Sequence, residues 1–263
     1  HADYVDARGR PISERMLALT APRAGERVLE LACGTGGPGL DAARLVEPDG
    51  DVVVSDFSAE MTAIAARRTG DQGVANVRTR VLDIEAIDEP DASFDVVLCR
   101  EGLMLVPDPE LGAREIRRVL RPGGRVAISV WGPREQNPWL GVVFDTVGVE
   151  LGLPAPPPGT PHPFSLADAR QLVSVIGRSG LEQVEVDEVS TPYRAASVDE
   201  WWDRTAALAG PLAKKLAALP PEVTRTLKER AAEAVEEYRT PAGIEFPGVC
   251  LVATAVSPEA AAP

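Results

Sequence analysis

The chain has 263 residues, 44% of them hydrophobic, and a net charge of −13 from 40 acidic and 27 basic side chains. This length and apolar content suit one large α/β domain with its own core, and the acidic balance argues against a nucleic-acid partner, whose phosphates call for Lys and Arg. Three scattered cysteines (Cys33, Cys99, Cys250) and two histidines form neither a disulfide framework nor a zinc site. No apolar run approaches the roughly 20 residues that span a bilayer, and the first residues lack the layout of a signal peptide. A cytoplasmic location without a membrane partner is therefore expected, and the opening His1 leaves the native start open.

Short apolar runs alternate with amphipathic stretches in the manner of βαβ units around a buried parallel sheet. Strands are predicted over Val28–Ala32, Asp51–Ser55, Val77–Leu82, Phe94–Cys99 and Arg125–Val130. Helices are predicted between them, at about Gly39–Val46, Glu60–Arg68 and Glu110–Leu120, with Arg121-Pro122-Gly123-Gly124 ending the third. Pro154 to Pro163 reads as a stiff extended loop. A helix at about Leu166–Ser179, closed by Gly180, precedes an alternating strand at Gln183–Val189. Ser197 to Tyr238 is helical in composition, broken at Gly210-Pro211 and Pro220-Pro221, and a last strand is expected at Val249–Val256.

The first strand leads into Gly34-Thr35-Gly36-Gly37-Pro38-Gly39, a loop in which a Cβ would block a tight turn and hold the backbone away from a ligand. An ordinary strand-to-helix turn and a dinucleotide site share that pattern. Asp56, closing the second strand, suits either cofactor, since a carboxylate there accepts hydrogen bonds from both ribose hydroxyls. Three features favour S-adenosylmethionine. Glu30 lies four residues before Gly34, where an acid can orient the loop near a cationic methionine group and would do nothing for a pyrophosphate. Asp83 and Ile84 follow the third strand as a carboxylate and an apolar wall for adenine. No second α/β domain follows to hold a hydride acceptor.

From Val28 to Trp131 the sequence resembles the class I S-adenosylmethionine-dependent methyltransferases, particularly the UbiE-like small-molecule branch. The resemblance is carried by Val28-Leu29-Glu30-Leu31-Ala32-Cys33-Gly34-Thr35-Gly36, with Ala32 where glycine is more usual, by Asp56-Phe57-Ser58-Ala59-Glu60-Met61, by Phe94-Asp95-Val96-Val97-Leu98-Cys99-Arg100 and by Leu120-Arg121-Pro122-Gly123-Gly124. It implies a three-layer, doubly wound, seven-stranded and mostly parallel sheet with an antiparallel last strand. The cofactor would be S-adenosyl-L-methionine, bound by Glu30, Ala32, Gly34, Gly36, Asp56, Phe57, Met61, Asp83, Ile84 and Arg100. Gly34 and Gly36 would lie beside the methionine moiety, Asp56 on the ribose, and Asp83 and Ile84 at the adenine. A core position on its helix is the competing reading for Met61.

Transfer from a sulfonium needs alignment more than a dedicated nucleophile, and an acceptor that loses a proton gains from a base. Glu101, after the fourth strand, and His162, in the proline-rich loop, are the candidates; Asp108 is expected to cap the following helix. Trp131 and Trp139 are candidate pocket walls, with core packing the alternative, and of the adjacent pair Trp201 and Trp202 one is expected in the core and one at a surface. The whole chain, residues 1–263, reads as a single domain. Within it, residues 197–238 form a helical lid inserted between the sixth and seventh strands, with a homodimer interface as the alternative use of that segment. The acceptor is expected to be a small organic molecule of the secondary-metabolite type. A cofactor-binding protein without catalysis and a nicotinamide-dependent oxidoreductase are the competing functions, while Val106-Pro107-Asp108-Pro109 does not match the Asn/Asp-Pro-Pro-Tyr motif used on planar nitrogens.

Overall fold

The computed structural model describes residues 2–152, 160–208 and 216–259. Strands β1 (Arg27–Leu31), β2 (Asp51–Asp56), β3 (Val77–Val81), β4 (Phe94–Arg100) and β5 (Leu120–Trp131) form where the apolar runs place them. Val28, Leu29 and Leu31 of β1, Val52 to Val54 of β2 and Val96 to Leu98 of β4 expose no surface. Strands covered on both faces have no reason to alternate with polar residues, and their runs are continuously apolar. Helices α2 (Pro38–Val46), α3 (Ala59–Asp71) and α4 (Pro109–Val119) connect them. Ser58 caps α3 and Asp108 caps α4, each accepting a backbone N–H three residues on. Helix α4 ends at Val119, so Arg121 to Gly124 already belong to β5, with Gly123 in the left-handed region at φ 72°.

Two further strands complete the main sheet, β6 (Glu182–Ser190) and β10 (Val249–Val256), in the order β3-β2-β1-β4-β5-β10-β6. β10 is antiparallel to both β5 and β6, and the other pairings are parallel. Helix α1 (Ala2–Thr20) packs with α2 on one face, and α4 packs with α6 (Ala169–Arg178) on the other. Because β1 and β4 are neighbours, the loops leaving their carboxyl ends diverge to opposite sides and open a crevice, the place where such sheets hold ligands.

Three parts of the fold go beyond the expected elements. α1 and α5 (Pro138–Leu151) have no counterpart among them. α5 buries Trp139, Leu140, Val143, Phe144 and Val147, and a helix with so apolar a sequence has no clear polar face to betray its period. The excursion between β6 and β10 is not purely helical. Besides α7 (Val198–Leu208) and α8 (Pro221–Ala234) it contains a small antiparallel sheet of β7 (Tyr193–Ala195), β8 (Arg239–Thr240) and β9 (Gly243–Phe246), ordered β7-β9-β8. Pro220-Pro221 starts α8; the Gly210-Pro211 break, Leu212 and most of the proline-rich loop lie outside the described residues.

The tryptophan pair departs from expectation as well. Trp201 is fully buried and Trp202 is 3% exposed, so neither covers a surface. Trp201 donates its indole N–H to the Trp139 carbonyl at 2.8 Å, which ties α7 to α5 and satisfies its one polar atom.

Candidate active site

The glycine loop leaves β1 through Ala32, whose φ of 53° is the left-handed region that glycine occupies more cheaply. That explains why glycine is the more usual residue there. Gly34 (φ 56°) and Gly36 (φ 114°) follow in conformations that L side chains rarely adopt. A Cβ on Gly34 would meet nothing within 4 Å, whereas one on Gly36 would sit 3.2 Å from Leu40. A polar cavity of about 320 Å³ opens beside the loop, between Gly36 and Gly37 on one side and Arg10, Ser13, Arg68 and Arg100 on the other.

Asp56 holds the loop in place. One carboxylate oxygen accepts the Gly34 N–H at 2.8 Å and the other accepts the Ser58 N–H at 2.9 Å. Phe57 beside it is 76% exposed, a large apolar ring left in solvent at the end of β2. Met61 is half-buried on the first turn of α3. Asp83, just past β3, turns back to accept the Glu85 N–H at 2.9 Å. Ile84 is 7% exposed and lies so near Gly102 and Gly112 that added Cβ atoms there would approach it to 3.3 and 2.9 Å. Ile84 is thus a wall between the crevice and α4.

Glu30 is fully buried under the loop. One oxygen accepts the Gly39 N–H at 3.1 Å, and Oε1 has no hydrogen-bond partner. Burial pushes its carboxyl up to about 7, while Arg100 and the Gly39 N–H pull the other way. Cβ atoms on Gly37 and Gly39 would lie 2.1 and 2.4 Å from its oxygens, so these glycines let the loop close over the acid. Arg100, at the end of β4, donates to the Ser13 hydroxyl at 2.9 Å and so joins α1 to this corner.

Glu101 follows with a φ of 59°, a strained conformation for a non-glycine residue. Its N–H donates to the Ser129 carbonyl at 2.9 Å, which fixes the turn. Gly102 beside it has no room for a side chain, since a Cβ there would lie 2.4 Å from that of Ala32. Burial raises the Glu101 carboxyl, and Arg100 and Arg8 oppose the rise.

Arg8 on α1 was not among the expected site residues. Its guanidinium lies 4.0 Å from the Trp139 ring centroid, 4.4 Å from Trp131 and 5.2 Å from Tyr193. Tyr4, one helical turn earlier, packs edge-on against Tyr193 at 5.4 Å. The only sequence signal for this pair is the i, i+4 spacing of Tyr4 and Arg8 on one helix face.

His162 is held within its own loop. Its Nδ1 accepts the Phe164 N–H at 3.1 Å, and burial and Arg134 together lower its basicity. Arg134 bonds to α5 through Gly141 and Asp145. The two candidate bases share no hydrogen-bond partner, and Glu101 alone sits at the end of β4.

Residues 22–138 match a family described as a methyltransferase domain. The ubiquinone/menaquinone biosynthesis C-methyltransferase UbiE of Ectopseudomonas mendocina is 39% identical over 131 residues, which cover 49% of this chain and 51% of that protein. The chain thus spans about half the length of the curated relatives it matches. The YcgJ protein of Bacillus subtilis superposes with a TM-score of 0.64 at 20% identity, covering 94% of this chain and 98% of that one. Phosphoethanolamine N-methyltransferase 2 of Haemonchus contortus, solved with S-adenosyl-L-methionine, gives 0.58 at 20% identity and covers 94% and 52%. At these identities the structural likeness speaks for the fold.

Proposed function

We propose that this chain is a class I S-adenosylmethionine-dependent methyltransferase and moves a methyl group from S-adenosylmethionine to a small organic acceptor. The observation that carries the reading is the crevice between β1 and β4, with a glycine loop pinned by Asp56 on one side and Glu101 on the other. The residues present fit the cofactor. Glu30 keeps an unpartnered oxygen under the loop, Gly34 leaves open space where a side chain would stand, and Phe57 offers an exposed ring beside Asp56. Ala32, Gly34, Gly36 and Arg100 would hold the methionine end, Asp56 the ribose, and Phe57, Met61, Asp83 and Ile84 the adenine.

When bound, the cofactor supplies a methyl already activated by a sulfonium charge. This chain's residues then need to align, desolvate and manage a proton, and alignment alone is worth roughly 7–11 kcal/mol. Glu101 is the group placed to take a proton from the acceptor, since it follows β4 at the crevice and burial raises the proton affinity of its carboxyl. His162 has its Nδ1 engaged by the Phe164 N–H, so Glu101 is preferred to it as the base. The described parts of residues 197–238, α7 and α8, are assigned to the acceptor side as a lid. Trp201, Trp202 and Leu216 are buried within the chain, which leaves them no role in an interface between two copies. The relatives named for C-methylation cover 49% of this chain, so their acceptor is not carried over to it.

No helix among the described residues is long and apolar enough to cross a membrane, and the net charge of −13 disfavours nucleic acid as the acceptor. Calorimetry with S-adenosylhomocysteine, run beside NAD, tests the reading. Binding of the first alone is expected, and tight NAD binding would replace the methyltransferase by an oxidoreductase. Mass spectrometry of copurifying small molecules would then identify the acceptor; if the cofactor binds but no acceptor in a broad screen is methylated, the chain is a binding protein instead.

A further inference from the structure

Two nitrogens of Arg8, Nε and Nη2, are buried without a hydrogen-bond partner, and so is the Tyr4 hydroxyl. Leaving buried donors unmet is costly, and more so for a charged group. Nε and Nη2 are the side-on edge of the guanidinium, the pair of parallel N–H groups that matches the two oxygens of a carboxylate. The face of the group is already taken up by Trp139 and Trp131, so the edge is what Arg8 has left to offer. Glu101, whose charge acts on Arg8, makes no ion pair with it within 4.0 Å among the described residues.

We propose that Arg8 is the specificity-determining residue for the acceptor, taking a planar carboxylate of that molecule on its Nε/Nη2 edge between the rings of Trp131, Trp139 and Tyr193. The proposal rests on the methyltransferase reading and names its substrate class: an aromatic or otherwise flat monocarboxylate. Trp131, Trp139 and Tyr193 are almost wholly buried and pack on one another with centroids 5.3 Å apart, so they frame the guanidinium and give whatever the carboxylate carries an aromatic surround. A monoanion is favoured over a dianion such as phosphate because Glu101 stands nearby and would repel the second charge. The position fits the chemistry, since Trp131 ends β5 and Glu101 follows β4, two paired strands, so an acceptor anchored on Arg8 lies beside the base.

The test is calorimetric titration of the full chain with benzoate, benzamide and benzylamine, with and without saturating S-adenosylhomocysteine. Benzoate should bind, and benzamide should bind at least tenfold more weakly. Arg8→Gln should lose at least tenfold in benzoate affinity, and Arg8→Lys, which keeps the charge but not the fork, should lose less, while both keep S-adenosylhomocysteine affinity within a few fold. That last measurement also shows that the variants are folded. Equal binding of benzoate and benzamide, undiminished benzoate binding by Arg8→Gln, or no benzoate binding would each overturn the proposal. Preference for benzylamine would overturn it too, since the box would then be a cation site in which Arg8 stands in for the ligand. If S-adenosylhomocysteine fails to bind the wild-type chain, the methyltransferase reading falls, and the benzoate titration without it still decides the role of Arg8.

Discussion

The two sides of the crevice are built by different means. On the donor side, glycines and two acids set the site through the backbone: Asp56 grips Gly34 and Ser58 N–H groups, and Glu30 grips that of Gly39. On the proposed acceptor side, rings and a cation from α1, β5, α5 and β7 meet through side chains. A backbone-built site tolerates few substitutions and keeps one ligand, whereas a side-chain-built site can be recomposed residue by residue.

Gly36→Val should have the largest effect on the donor side. A β-branched residue at φ 114° costs on the order of 1–3 kcal/mol in strain, and its Cβ, 3.2 Å from Leu40, crowds the loop beside the cavity. S-adenosylhomocysteine binding should become undetectable by calorimetry; wild-type affinity would show that the cofactor lies elsewhere.

Trp201→Ala probes the other side. Removing a fully buried indole costs roughly 3–5 kcal/mol, so a fall in melting temperature on the order of 10 °C is expected. Cofactor affinity of the folded protein should stay within a few fold. If that affinity collapses with stability intact, the two sides are not separable.

Asp56→Ala should weaken S-adenosylhomocysteine binding by roughly 2–4 kcal/mol, about 30- to 1000-fold. Since Asp56 also anchors Gly34, the loop should loosen even without cofactor, visible as faster amide exchange at Gly34. Unchanged exchange would confine Asp56 to ligand contact.

Glu30 gives the smallest and most specific effect. Its folded carboxyl titrates at about 7 against an ordinary 4.5, so the folded state keeps the proton to higher pH than the unfolded chain does. Its contribution is therefore fully present below about 4.5 and is lost as the pH rises to about 7. Relative to Glu30→Gln, the wild type should lose at most about 3 kcal/mol across that window. Denaturant unfolding at several pH values measures this, and parallel curves for the two proteins would refute it.

The same division decides what could be read from the sequence. Gly34, Gly36 and Asp56 were legible because backbone geometry restricts which residue types can stand there, and the strands were legible because two-sided burial demands unbroken apolar runs. That Asp56 holds Gly34 was not, because a carboxylate's partner cannot be inferred from its position. Arg8 and Tyr193 escaped notice because each is unremarkable in its own segment and acquires a role only when α1 and β7 meet. Trp201 and Trp202 misled for a related reason. Adjacent residues on a helix point about 100° apart, which favours one buried face, but α7 is covered by α5 on one side and by β9 on another, so both directions are interior.

The excursion between β6 and β10 leaves and rejoins the main sheet at a single point. The Thr191 N–H donates to the Gly248 carbonyl at 2.8 Å, and Ser190 pairs with Val249. A Cβ on Gly248 would lie 2.1 Å from the Thr191 carbonyl, so the two crossing points already touch. Closing a loop between pinned ends costs only about the logarithm of its length, and residues 192–247 can therefore grow, shrink or be exchanged without shifting the register of the strands beneath. The stem of β6 and β10 lies at the opposite end of the sheet from β2, which carries Asp56. Descent with modification has here a chassis and a cartridge: an ancestor could trade one head for another, provided the newcomer again covers Trp139, and acquire a different acceptor while inheriting its donor site unaltered.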